Sequence, residues 1–249
     1  MPQPAKTDRI VIEYATPTHP ALKQVYELVK KRQALEQVRE ILLPVKWPST
    51  IKLEFKDCGG EANAGYEEAV ITVCYELMDD FWRSANARRP SVITREDAFV
   101  GQSLNVFLHE AAHALFRLLK IPLLGREEDA ADQLSAYYLL QLPGERKRAL
   151  ILGSAYAFAS QLKIRRPRDL YRLRLQLARH VTLASEHGTT AQRLYNVLCL
   201  AYGSDKKLFQ DILANGFLPK ERSEICEEEY RQVDFAYHTL ILPHLDDNQ

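Results

Sequence analysis

Apolar and polar residues alternate in three short segments near the N-terminus. The segments are residues 9–15, 50–58 and 69–76. Successive side chains of a strand point to opposite faces, so a period of two predicts β-strands. Together the three segments predict a small antiparallel sheet.

Elsewhere the apolar residues recur with the period of an α-helix. One such pattern covers residues 19–44 and ends at Pro44. From Tyr75 onward nearly all of the chain has helical periodicity, and Thr94 with Asp97 is typical of a helix N-cap. The predicted later helices cover residues 75–87, 94–120, 126–141, 144–162, 168–185, 189–203, 205–215 and 220–241.

A short N-terminal sheet followed by a large helical part predicts an α+β fold. We expect one domain over residues 1–249, with a sheet-rich part over about 9–76 and a helical part over about 77–245.

Composition and charge narrow the classes of function. Lysine and arginine together number 33, and aspartate and glutamate together also number 33. The net charge is therefore zero and gives no indication of a nucleic-acid partner. Basic segments at 86–90 and 163–179 are interpreted as solvated helix faces. No apolar run approaches the roughly 20 residues of a membrane span. The N-terminus lacks the apolar stretch of a signal peptide, which leaves a cytoplasmic location or a removed leader.

Four cysteines are present, and no two have the C-x-x-C spacing of a zinc knuckle or redox motif. Buried free thiols and two disulfides are both compatible with their positions.

The strongest chemical signal is the sequence "HEAAH", which places His109 and His113 four residues apart. Residues i and i+4 project from the same face of a helix, so both imidazoles can bind one metal ion. Glu110 then has the position of the general base in H-E-x-x-H enzymes. The surrounding segment "LNVFLHEAAHALFRLL" is apolar, and buried histidine and glutamate without partners would be costly.

The next predicted helix offers a third metal ligand. In "EDAAD", Glu128 and Asp132 are again four apart, so we expect Glu128 to bind the metal and Asp132 to accept the free ring N–H of a histidine. Glu127 and Asp129 project elsewhere on the helix and are expected to be solvated. Two alternatives remain open: a metal-dependent binding protein without useful turnover, and a metal-free helical module whose motif is accidental.

H-E-x-x-H followed on the next helix by E-x-x-A-D resembles the gluzincin metallopeptidases, with Glu128 in the place of their third zinc ligand. The resemblance implies a zincin-like fold, a Zn²⁺ cofactor and a peptide or protein substrate. "NAGY" at 63–66 is similar to the strand with which gluzincins hold a peptide, which implies substrate binding by Asn63, Ala64 and Tyr66. An ordinary hairpin turn containing Asn63 and Gly65 is the alternative.

Most of residues 50–245 resembles a bacterial family of metallopeptidase-like proteins classed as a domain of unknown function. The segments that carry the resemblance include "NAGYEEAVITVCYEL" and "LPKERSEICEEEY". Members of that family commonly look exported, which implies a periplasmic or secreted protein. It also implies the disulfides Cys58–Cys74 and Cys199–Cys226.

Peptide hydrolysis builds negative charge on the carbonyl oxygen, so a hydrogen-bond donor is expected opposite the metal. Gluzincins use a histidine or tyrosine after the third ligand, and here His187 is favoured, with Tyr195 next. The other candidates are His180, Arg193, His238 and His244.

Overall fold

The computed structural model describes residues 9–86, 93–162 and 186–246. Its sheet consists of β1 (Ile10–Tyr14), β2 (Ile51–Lys56), β3 (Ala64–Glu67) and β4 (Val70–Cys74), in the order β1-β2-β4-β3. The sheet and the helices that follow it confirm the α+β class.

The prediction of an antiparallel sheet is wrong for most of its pairings. β1 pairs with β2 in parallel, and β2 pairs with β4 in parallel. The chain between β1 and β2 passes through helices that return it to the starting end of the sheet, which a parallel neighbour requires. Among the described strands of this sheet, β3 and β4 alone pair in an antiparallel arrangement. Their two-residue turn, Glu68 and Ala69, has φ of 46° and 66°, as in a tight hairpin.

The segment predicted as one helix over 19–44 is interrupted. After a 3₁₀ turn at Pro20–Leu22, it forms α1 (Lys23–Lys31) and α2 (Ala34–Leu42). Gln33 between them is left-handed, with φ of 51°, so the helix cannot continue through it. Helix α1 buries Val25 and Val29 in the core, and α2 buries Leu35, Val38 and Leu42.

The remaining helices follow the predicted order, with shorter pieces near the C-terminus. They are α3 (Tyr75–Asn86), α4 (Arg95–Leu118), α5 (Glu127–Leu140), α6 (Gly144–Gln161), α7 (Thr190–Ser204), α8 (Gln210–Ala214), α9 (Lys220–Ser223) and α10 (Cys226–Ala236), then a π-helix at Tyr237–Ile241 and a 3₁₀ turn at Leu242–His244. The predicted helix at 168–185 and the basic segment 163–179 lie outside the described residues. Across the described ranges, no helix is long and apolar enough to cross a membrane.

Helix α4 runs through the middle of the core. Thr94 and Asp97 form a reciprocal capping box at its start, which confirms the predicted N-cap. Phe107 meets Phe55 of the sheet edge-to-face with ring centroids 4.9 Å apart. Most side chains of α4 are buried between the sheet and the other helices. The polar residues of "HEAAH" are therefore carried by a largely buried helix.

Helices α4 and α6 cross with their backbones in close contact, and this contact positions α4 in the core. A methyl group on Gly101 would lie 2.3 Å from the carbonyl oxygen of Leu150 and 2.9 Å from Cα of Gly153. Since these contacts are with backbone, the helices would have to separate. We expect Gly101→Ala to lower the free energy of unfolding by about 1–3 kcal/mol in urea denaturation. Gly125→Ala is the matched control because a methyl group there meets nothing within 4 Å, and an equal loss in the control would contradict the explanation.

The face of the sheet opposite α4 carries a buried carboxylate. Glu54 on β2 has a side chain only 9% exposed, and it contacts Lys52 at 2.6 Å and Lys56 at 2.7 Å. The Thr72 hydroxyl donates to the same carboxylate at 2.8 Å. Burial alone would raise the pKa of Glu54, but these three partners outweigh it and lower the pKa to about 2.

A carboxylate with a lowered pKa stabilises the folded state above its unfolded pKa, and this contribution disappears as pH falls toward the folded value. We expect Glu54→Gln to lower the free energy of unfolding by about 1–3 kcal/mol at pH 7. The difference from wild type should shrink as pH falls from about 4.5 to about 2. Denaturant titrations at several pH values measure this, with the exposed Glu40→Gln as control. A difference that is the same at every pH would contradict the assigned ion pairs.

Both cysteine pairs form disulfides, Cys58–Cys74 and Cys199–Cys226, as the family resemblance implies. The first disulfide closes the loop that contains β3. Glu76 adds to this closure by accepting hydrogen bonds from the backbone N–H groups of Cys58 and Gly60. The edge of the sheet is thus tied to the start of α3.

Candidate metal centre

Two helices bring three ligand-type side chains together. His109 and His113 lie on α4 and Glu128 lies in the first turn of α5. The Nε2 atoms of the two histidines are 3.2 Å apart. A carboxylate oxygen of Glu128 is 3.0 Å from Nε2 of His109, and its other oxygen is 3.5 Å from Nε2 of His113. The three residues expected to bind a metal therefore converge.

These separations suit a single tetrahedral ion. Ligand atoms about 2.0–2.1 Å from a zinc ion at tetrahedral angles lie about 3.3 Å from one another. The observed distances of 3.0–3.5 Å, which involve both carboxylate oxygens of Glu128, lie close to that value. Both histidines are more than nine-tenths buried, at 6% and 7% exposure. Two imidazoles and one carboxylate are also a donor set typical of catalytic zinc sites.

The outward nitrogen of His109 is held by a second charged pair. Nδ1 of His109 lies 2.9 Å from Oδ1 of the buried Asp132, the residue that the sequence predicts as its partner. Arg193 on α7 donates to both oxygens of Asp132, at 2.6 and 2.7 Å. The Arg193 guanidinium also lies 4.8 Å from the ring centroid of Phe158. Arg193 of α7 thus holds Asp132 of α5, and Asp132 in turn orients His109 of α4. Contacts of this kind fix the tautomer of metal-binding histidines.

The outward nitrogen of His113 is held by a residue that sequence reasoning placed in solvent. Nδ1 of His113 is 2.7 Å from a carboxylate oxygen of Glu127. Asp129, the other residue expected to be solvated, pairs with Arg126 at 2.7 Å. Nothing in the spacing of "REED" distinguishes Glu127 from its neighbours, because the contact depends on the angle at which α5 crosses α4.

Charge is concentrated at this centre. Burial disfavours the charged form of His109, but Asp132 and Glu128 outweigh it and raise its pKa to about 9. The contact with His109 is also the main reason that the pKa of Glu128 is lowered to about 2. Burial opposes the charge on Asp132, yet the bonds from His109 and Arg193 keep its pKa below the usual value. A bound cation would take the place of a proton that His109 otherwise holds.

Glu110 lies beside the three converging groups. It is partly buried, and this burial raises its pKa, while the neighbouring His109 and His113 act in the opposite direction. Raised pKa values of this kind are common among catalytic carboxylates.

Of the donors predicted to stabilise the transition state, His187 contacts the centre. Its Nε2 lies 2.7 Å from an oxygen of Glu128, and its ring stacks on that of His109 with centroids 6.0 Å apart. Tyr195 is partly buried against the core. Residues two apart on a helix do not face each other, so Tyr195 points away from the side of α7 used by Arg193.

The remaining candidates have other positions. His238 contacts the backbone oxygen of Asp234 beyond α10, and His244 lies in the final 3₁₀ turn. His180 lies outside the described residues.

The strand predicted to hold a substrate is an edge strand. Ala64 and Tyr66 belong to β3, which pairs only with β4 among the described strands. Asn63 directly precedes it, and its carbonyl oxygen accepts from the N–H of Cys74. The hairpin turn lies at Glu68 and Ala69, so the alternative of a turn at Asn63 and Gly65 is wrong. On the outer side of β3 the N–H of Ala64 donates to Oδ1 of Asn63 at 2.9 Å. An added strand would displace that side chain and pair with the outward backbone groups.

Comparison with protein families agrees with this geometry. Residues 14–241 match a family described as "Putative metallopeptidase", and the chain belongs to that family. The family implies a metal cofactor and, at a coarse level, peptidase activity. No curated protein and no solved structure matches the chain.

Proposed function

We propose that this protein is a zinc-dependent peptidase with a zincin-like fold. The observation that carries the proposal is the convergence of His109, His113 and Glu128 with a carboxylate, Glu110, at their side. A site that only stores or senses a metal has no need for that additional carboxylate.

His109, His113 and Glu128 would hold the ion through two Nε2 atoms and a carboxylate. Zinc at this position supplies a Lewis acid that polarises water and the substrate carbonyl. Glu110 accepts a proton from the attacking water and then delivers it to the leaving amine nitrogen. Partial burial keeps this carboxylate incompletely solvated, which favours proton transfer at neutral pH.

Two acidic residues keep the histidines in position. Asp132, itself held by Arg193, orients His109, and Glu127 orients His113. Contacts of this kind commonly contribute about 10–100-fold in metal affinity.

His187 is the donor that we assign to the developing oxyanion. Its Nε2 lies 2.7 Å from an oxygen of Glu128, so this imidazole is placed to donate a hydrogen bond to an oxyanion that develops beside the proposed metal ligand. The predicted role of Tyr195 is not part of this proposal, because its side chain lies on a different side of α7 from Arg193.

The free edge of β3 would bind the peptide as an added antiparallel strand, with Asn63, Ala64 and Tyr66 forming the contact surface. The two disulfides are typical of oxidising compartments, and we propose a periplasmic or secreted location.

Metal content and hydrolysis together test the proposal. We expect the purified protein to contain about one zinc per chain and to cleave unfolded protein or quenched peptide substrates. A chelator should abolish cleavage and added zinc should restore it. Zinc without cleavage of any substrate would indicate a metal-dependent binding protein instead. Absence of zinc, with a melting temperature that a chelator does not change, would indicate a metal-free module.

A further inference from the structure

An exposed arginine lies between the metal centre and the edge strand. Arg117 is on α4, four residues after His113, and therefore on the same face of the helix, about 6 Å further along its axis. Its side chain is 60% exposed, in contrast to the buried histidines before it. An arginine side chain at this position can reach a substrate residue next to a peptide bond that is held at the metal centre.

Its contacts direct the guanidinium toward β3. The guanidinium carbon is 5.9 Å from the ring centroid of Tyr66 on that strand. Nε of Arg117 is 3.4 Å from the carboxylate oxygen of Glu127 that also contacts His113 at 2.7 Å. Glu127 is therefore held more closely by His113. An arginine has five N–H donors, and within the part of the chain that the structure describes only Nε of Arg117 faces a carboxylate, so further donors can serve a ligand.

The side chains of β3 lie on two different faces of the sheet edge. Side chains alternate along β3, so Tyr66 faces the core side with Arg117, while Glu67 faces the opposite side. A peptide added to this edge alternates in the same way, and the side chains that it directs toward α4 meet Arg117. A carboxylate fits this position because arginine pairs with it through two parallel hydrogen bonds.

We propose that Arg117 is a specificity-determining residue that selects an aspartate or glutamate side chain next to the scissile bond. The inference rests on the proposed peptidase function and on strand addition at β3. It names acidic peptides as the substrate class.

Quenched peptides test this inference. In each series Glu, Gln or Lys occupies one position next to the cleaved bond, either before it or after it, and the rest of the peptide is the same. At one position, wild type should cleave the Glu peptide about tenfold better than the Gln peptide in kcat/KM. In Arg117→Gln the Glu-to-Gln ratio should fall to about one, and Arg117→Glu should reverse the preference toward Lys. Arg231→Gln, which removes an arginine of similar exposure from α10, should keep the wild-type ratio. A purely structural role for Arg117 would lower all rates without changing the ratio.

Binding of the same peptides to zinc-loaded Glu110→Gln protein, followed by fluorescence anisotropy, separates this inference from the peptidase proposal. Cleavage without a Glu preference, or a preference that survives in Arg117→Gln, would overturn the role of Arg117 and leave the peptidase intact. If wild type cleaves nothing, a Glu preference in binding that Arg117→Gln removes would support the acidic subsite and overturn only the peptidase. Equal binding of the Glu and Gln peptides would overturn the subsite.

Discussion

Glu110→Gln is expected to keep zinc while losing about a thousandfold or more in kcat. Glutamine has the size and shape of glutamate but cannot accept the proton of the attacking water. Glu110 is not among the three side chains that converge and are proposed to hold the ion, so the zinc content should stay near one per chain. Peptide kinetics and elemental analysis of the same preparation measure both quantities.

The matched control for this experiment is Glu96→Gln in the first turn of the same helix. The Glu96 side chain is 51% exposed and forms an ion pair with Arg32 at 3.5 Å. It should keep both zinc and activity. Full hydrolysis by Glu110→Gln would refute the general-base role, and loss of zinc in that variant would show that Glu110 is a ligand.

His113→Ala should lose the metal itself. Removing one of the three proposed ligands leaves a histidine and a carboxylate, which hold zinc far more weakly. The zinc content should fall from about one per chain toward zero, and hydrolysis should fall to the level of the chelated protein. Because an ion that binds the folded state stabilises it, the melting temperature of wild type should fall with chelator and that of His113→Ala should not.

His19→Ala is the matched control for the loss of an imidazole. His19 is exposed and accepts a hydrogen bond from Ala21 at a 3₁₀ turn far along the chain from the "HEAAH" segment. Its zinc content and chelator response should equal those of wild type. Retention of a full zinc equivalent by His113→Ala would show that other residues bind the ion.

Local patterns predicted most elements of the fold but not how the strands pair. The alternation in residues 51–56 is the same whether the neighbouring strand is parallel or antiparallel, since both place alternate side chains on one face. The short β3 was not predicted as a member of the sheet, although its residues were singled out as a substrate strand. Its pairing depends on the left-handed turn at Glu68 and Ala69. The expectation of a single domain stays a prediction.

The sequence by itself determined the pair His109 and His113 and the position of Glu110, because four-residue spacing on one helix places side chains together in any tertiary fold. It also indicated Glu128 and Asp132, which share a face of α5 in the same way. Only the tertiary structure decided that Glu127 supports His113, that Arg193 holds Asp132, and that Arg117 lies beside Tyr66. Each of these contacts joins residues of different helices or strands. Their distances depend on the angles at which α4, α5, α7 and β3 pack, and no local periodicity encodes those angles.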